Sequence, residues 1–197
     1  MADPLYLSLW FATSEADEML PQALAVMRQF TFSAAQPGIT DVALHPVSWN
    51  EATVLERRFN PGITPEAAVL IASDLLHEDY AYVFEAFWDL WILDEHEQEW
   101  KLQPSRVRFL VHGLDFDDGV YQQEGNIEVD LGLDSAFLQE GVPLISDAES
   151  RVRANVQKLV EFTSKVERNS GATGRLLWSE SAENLAQKLI TRLQKVQ

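Results

Sequence analysis

The sequence predicts an α+β fold: a ferredoxin-like βαββαβ core, with helices on one face of an antiparallel sheet, extended by C-terminal β-α-β-α elements. Three observations lead there. Several short stretches alternate apolar and polar residues with period two. Between them, longer stretches carry apolar residues at three- and four-residue steps. Hydrophobic residues make up 46% of the 197, ample for one core. No linker rich in Gly, Ser or Pro divides the chain, and no internal repeat is found. Residues 1–197 are therefore expected as a single domain, with 1–116 as the ferredoxin-like core and 117–197 packed on it.

Leu5, Leu7, Leu9 and Phe11 alternate with Tyr6, Ser8 and Trp10, which predicts the first strand. Ser14 stands where an N-cap belongs, with Asp17 as a capping-box partner, opening a helix to about Phe30. Pro37-Gly38 is a turn. Ile39 to Trp49 reads as a second strand, with Pro46 suiting an edge or a bulge, and Thr53 to Phe59 as a third, closed by Asn60-Pro61-Gly62. Thr64-Pro65-Glu66 then opens a helix. Val69, Ala72, Leu76, Tyr80, Val83, Phe87, Leu90 and Trp91 form one stripe along it for more than five turns, with Phe84 and Trp88 widening it. Asp74, Glu78, Glu85 and Asp89 fall on the opposite, solvated face. After Pro104, Val107, Phe109 and Val111 alternate with Arg106, Arg108 and His112. Ile127, Val129, Leu131 and Leu133 alternate likewise, and the two segments predict an antiparallel pair with a long loop. A helix over about 147–169 ends at Gly171, 175–179 is a short strand, and Leu185, Leu189, Leu193 and Val196 mark a last helix.

Charge is abundant and uneven. Asp and Glu number 31 against 15 Lys and Arg, a net charge of −16. Residues 1–140 hold 25 acids and 6 bases, whereas 141–197 hold 6 acids and 9 bases. Lys101, Arg106 and Arg108 form a basic island between two acidic stretches. Such a chain repels phosphate, so nucleic acid is disfavoured and a basic protein partner or self-association is the expected contact. Solubility is nevertheless the leading reading of this acidity, ahead of steering toward a partner. No apolar run reaches the ~18–20 residues of a membrane span. The first charge is Asp3 and the first base Arg28, unlike a signal peptide, so a soluble, cytoplasmic protein without membrane contact is expected. With no Cys, disulfides and thiolate chemistry are excluded.

No motif fixes a reaction. Asp74, His77 and Glu78 would share one helical turn and could in principle hold a divalent metal, yet one His without a His-Glu-x-x-His pair is a weak ligand set. His112 with Asp115, Asp117, Asp118 and Glu124 is the better metal candidate, because hard cations want several oxygens on a tight turn. The fit to a calcium loop is poor, since the glycine comes fifth in the run rather than sixth. Gly171-Ala172-Thr173-Gly174 follows a helix and precedes a strand, the reverse of a phosphate loop. Trp10, with Tyr6 and Ser8, shares the polar parity of its strand, as do Arg106, Arg108 and His112 of theirs. If those strands are neighbours, they make an aromatic and cationic surface on an open sheet face. Trp10, Arg106, Arg108 and His112 are therefore the candidate binding residues, and no cofactor is expected. The expectation is a non-enzymatic binding protein using an acidic surface or open sheet face. The alternative is a small-ligand-binding protein or metal-dependent enzyme near His112 and the Asp115–Asp118 loop.

Overall fold

The computed structural model describes residues 2–94, 99–139, 146–180 and 184–194. Alternating strands and amphipathic helices assemble there into an α+β fold with a seven-stranded antiparallel sheet and six α-helices among the described residues. The strands are β1 (Pro4–Trp10), β2 (Ile39–Pro46), β3 (Leu55–Ile63), β4 (Tyr80–Asp94), β5 (Glu99–His112), β6 (Ile127–Leu133) and β7 (Gly174–Ser179). The helices are α1 (Ala16–Met27), α2 (Pro65–Ser73), α3 (Tyr121–Glu124), α4 (Ser135–Leu138), α5 (Ser146–Asn169) and α6 (Leu185–Leu193). No helix is long and apolar enough to cross a membrane among these residues.

The strand order is β3-β2-β4-β5-β6-β1-β7, which differs from the ferredoxin-like expectation. The first six elements do run β-α-β-β-α-β, but β1 pairs with β6 and β7, not with the strands nearest it in sequence. Both ends of the sheet repeat one device. β3 and β4 run parallel to each other on either side of β2, joined through α2; β6 and β7 do so on either side of β1, joined through α4 and α5. The connection through α1 links the two ends, carrying the chain from β1 past β6, β5 and β4 to β2. β6 thus lies between β5 and β1, in the middle of the sheet.

The largest departure from expectation is the segment 74–94. α2 ends at Ser73 with Asp74 as its C-cap, and Tyr80–Asp94 is a strand, not five further turns of helix. Apolar residues dense enough to satisfy a three-to-four stepping also satisfy alternation. Tyr82, Phe84, Ala86, Trp88 and Leu90 are buried on one face while Val83, Glu85, Phe87, Asp89 and Trp91 face the other way. Aromatic and β-branched side chains favour the pleated surface. Asp74, His77 and Glu78 consequently share no helical turn. His77 N–H instead donates to the Tyr82 hydroxyl at 2.8 Å.

Smaller corrections follow from local chemistry. Glu15, not Ser14, caps α1, in a capping box with Glu18; the Ser14 hydroxyl donates to the Gln22 side chain. β2 lies inside the sheet, and Pro46 is tolerated because it is the strand's last residue. β3 continues through Asn60-Pro61-Gly62 to Ile63, with a register shift opposite Ile39 and Asp41.

One face of the sheet carries the core. Leu5, Leu7, Leu9, Val42, Leu44, Phe109, Val129 and the buried residues of β4 meet Met19, Ala23 and Met27 of α1 and Val152, Val156 and Phe162 of α5 in one cluster. Phe30 sits at its centre, in ring contact with Trp88, Phe109 and Phe162 at 5.4–5.5 Å. Beyond Ala86, β4 loses β2 as a neighbour, and α5 covers that edge. Asn155 Oδ1 accepts from Trp91 N–H at 2.9 Å, while its Nδ2 donates to the carbonyls of Trp91 and Ala136, both at 2.8 Å. One side-chain amide therefore stands in for a missing strand.

Candidate functional site

With α1, α2, α5 and α6 packed on the core side, the other sheet face is the place where functional side chains can be presented. Its residues are set by the strand registers. A single row crosses all seven strands: Trp178, Tyr6, Asp130, Arg108, Glu85, Asp41 and Arg58 stand opposite one another from β7 to β3. Tyr6 and Trp178 are in ring contact at 4.8 Å. Arg108 donates to Asp130 through Nε at 3.2 Å and Nη2 at 2.6 Å. Arg58 pairs with Asp41 at 3.0 Å, and Arg106, one step along β5, approaches Glu85 only to 3.8 Å. Burial and the neighbouring Asp41 raise the Glu85 pKa, while Arg106, Arg108 and Arg58 hold it down.

The next row reads Leu176, Ser8, Glu128, Leu110, Val83, Ala43 and Glu56. Glu128 is 6% exposed between Ser8 and Leu110, and accepts no hydrogen bond from a described residue. Burial above all, then Glu124 and Asp130, lift its pKa to about 8, with Arg108 opposing. Glu128 therefore carries a proton at neutral pH. The Ser8 hydroxyl beside it is held by the Trp178 indole N–H at 3.0 Å.

His112 and Trp10 occupy the far end of β5 and β1. Gly125, at φ +98°, lies so close to Leu9 that a Cβ would meet Leu9 backbone atoms at 2.7–2.8 Å, so only glycine fits. Its carbonyl is 2.8 Å from His112 Nδ1. A carbonyl only accepts, so Nδ1 holds the ring proton and Nε2 is left with its lone pair. Nε2 has no hydrogen-bond partner and lies 3.8 Å from Glu124. Phe116 stacks over the His112 ring, Trp49 meets it edge-on, and the residue is 0% exposed. Burial lowers the His112 pKa, against the Gly125 hydrogen bond and Asp117. Trp10 is also engaged: its indole N–H donates to Tyr121 O at 3.0 Å, and its carbonyl accepts from Thr173 N–H at 2.8 Å.

The four binding candidates thus share one face but do not converge. β6 separates β1 from β5, and its Glu128 and Asp130 fall where the expected aromatic and cationic surface would have been continuous. Arg106 and His112 are six residues apart on one strand, about 20 Å. Of the loop acids, Asp115 and Asp118 are exposed and Asp117 is half-buried at φ +47°. Among the described residues, no three His, Asp or Glu side chains are grouped to hold a metal ion. Sequence reasoning passed over Asp41, Arg58, Glu85 and Glu128. The helical reading put Glu85 on a solvated helix face, and Asp41 and Arg58, though on expected strands, acquire their neighbours only through the strand register. Glu128 was visible, as the polar-parity residue of β6.

Two concavities lie along the face. One, of about 380 Å3, is bounded by Asp41, Arg58, Glu85, Phe59 and Phe87 at the β3-β2-β4 end. The other, of about 330 Å3, opens where β5 and β6 part, and Arg106 and Arg108 are among its lining residues. No family model, curated protein or solved structure matches this chain.

Proposed function

We propose that this protein is a soluble, cytoplasmic, non-enzymatic interaction protein whose uncovered sheet face docks a basic protein partner. The observation that carries the reading is the acid content of the two rows on the free face. Asp130, Glu85, Asp41 and Glu56 meet only Arg108, Arg58 and, more distantly, Arg106. Glu85 has the acidic Asp41 beside it and only a long, 3.8 Å pairing with Arg106, and the chain around it carries most of the −16 net charge. A cationic surface laid across these rows would complete the pairing and gain in association rate at low salt. Half-buried Tyr6, Trp178, Leu110 and Val83 between the charges supply apolar contact. A ligand site built on His112 finds less support, because Trp49 and Phe116 close over that ring.

The test compares two triple variants by titration with a fluorescent octalysine peptide. Asp41→Asn/Glu56→Gln/Glu85→Gln removes acids of the free face; Asp17→Asn/Asp147→Asn/Glu161→Gln removes the same charge from the helices. The reading predicts roughly tenfold weaker binding for the first than for the second, and steep loss of wild-type binding from 50 to 200 mM salt. Equal loss in the two variants would make the attraction a property of net charge alone. Binding that salt does not weaken would contradict the reading outright. A concentration-dependent dimer that the first triple variant disrupts would replace the foreign partner with a second copy of the chain.

A further inference from the structure

We infer that the cleft between β5 and β6 is a binding site for a medium-chain carboxylate, with Arg106 receiving the head group. The cleft exists because the two strands separate. β5 runs from Glu99 to His112, but β6 pairs with it only from Arg108 to Val111 and then follows β1 to Leu133. Backbone groups of the even-numbered residues of β5 face this gap, since His112 N–H bonds across to Asn126 O. One of them is Pro104, which lacks an N–H and so discourages a further strand from adding there. The gap is left as a cleft of about 330 Å3, at the small end of the range for organic ligands.

Its lining is divided by chemistry. Leu90, Leu131 and Ala136 are buried and supply an apolar interior, while Leu133, 54% exposed, stands at the rim. Arg106 lies on the same cleft with its side chain 59% exposed. The two arginines there differ in what they still have to give. Arg108 is spent on Asp130 through two hydrogen bonds. Arg106 makes no hydrogen bond to a described residue, and Glu85 at 3.8 Å is beyond hydrogen-bond reach. The Ser105 and Ser135 hydroxyls, also lining the cleft, make none either. A planar guanidinium with unspent donors above an apolar slot is complementary to a carboxylate with a hydrocarbon tail. The basic island of an otherwise acidic chain thereby acquires a local purpose: two of its three cations flank this cleft.

The experiment follows the melting temperature of the full-length protein against sodium decanoate, held below its micelle threshold, with decanol as the uncharged match. The expected result is a saturable rise with decanoate and a much smaller one with decanol. Arg106→Gln is expected to weaken decanoate about tenfold, and Arg168→Gln, exposed on α5, to leave it unchanged. Ala136→Phe fills the slot from within; because that variant tests core packing too, Leu133→Trp blocks it from the rim. Either should abolish the shift. No saturable rise, an equal rise with decanol, or a full response in Arg106→Gln would each overturn the inference.

Discussion

At the scale of single residues, burial shifts Glu128 and His112 on the free face in opposite directions. Glu128 is protonated when folded, with a pKa of about 8 against 4.5 unfolded. The unfolded chain releases that proton first, so this contribution to stability is complete below pH 4.5 and is lost as pH rises to about 8. A shift of this size is worth roughly 3–5 kcal/mol across the window. Glu128→Gln keeps the shape and removes the titration. Its melting temperature should exceed that of the wild type at pH 8 by more than at pH 4.5; a constant difference would show that the carboxyl ionises freely. His112 works the other way. Its lowered pKa keeps the ring neutral when folded, so stability falls as pH drops below about 6.5, where the unfolded imidazole takes up a proton. Alternation made the facing of both residues readable in the sequence. Their burial was not, because His112 is covered by Trp49 of a distant segment as well as by nearby Phe116, and Glu128 lies beside Ser8 from the start of the chain.

At the scale of elements, β4 is the strand on which the architecture turns, and its parity can be tested directly. Trp88 is fully buried, so Trp88→Ala should cost about 3–5 kcal/mol in a denaturant titration. Phe87, its immediate neighbour on the free face, should cost about 1 kcal/mol when truncated. Similar losses at both would contradict the strand. The clamp on the β4 edge has its own signature. Asn155→Ala strands the Trp91 amide and the Trp91 and Ala136 carbonyls, at about 2–4 kcal/mol, and should speed hydrogen exchange at Trp91. β1, α1, β2, β6, α5, β7 and α6 were legible to within a few residues, whereas β5 was read only after Pro104, a residue that marks a strand boundary in sequence, although it begins at Glu99. β4 was not: twelve hydrophobic residues among the fifteen of Tyr80–Asp94 fit either period. Only its neighbours β2 and β5 select the strand.

At the scale of the molecule, strand order is what changes the meaning of the surface. Legible strands did not reveal that β6 inserts between β1 and β5, since that pairing depends on contacts more than a hundred residues apart. Its insertion replaces an expected patch of aromatic and cationic residues with alternating charge in which acids predominate. The −16 net charge is consequently not spread evenly: it is concentrated on a chain segment that supplies six of the seven strands. Helices shield the opposite side of the sheet, leaving the charged rows as the broad surface that the proposed partner would meet.

The central claim, that this face is the docking surface, is tested most directly by mapping amide chemical shifts during titration with the octalysine peptide. The largest changes are expected to trace one face of the sheet, at Asp41, Glu56, Glu85 and Asp130, with α1 and α5 unmoved. Shifts concentrated on the helices, or spread without preference over every acidic residue, would contradict it.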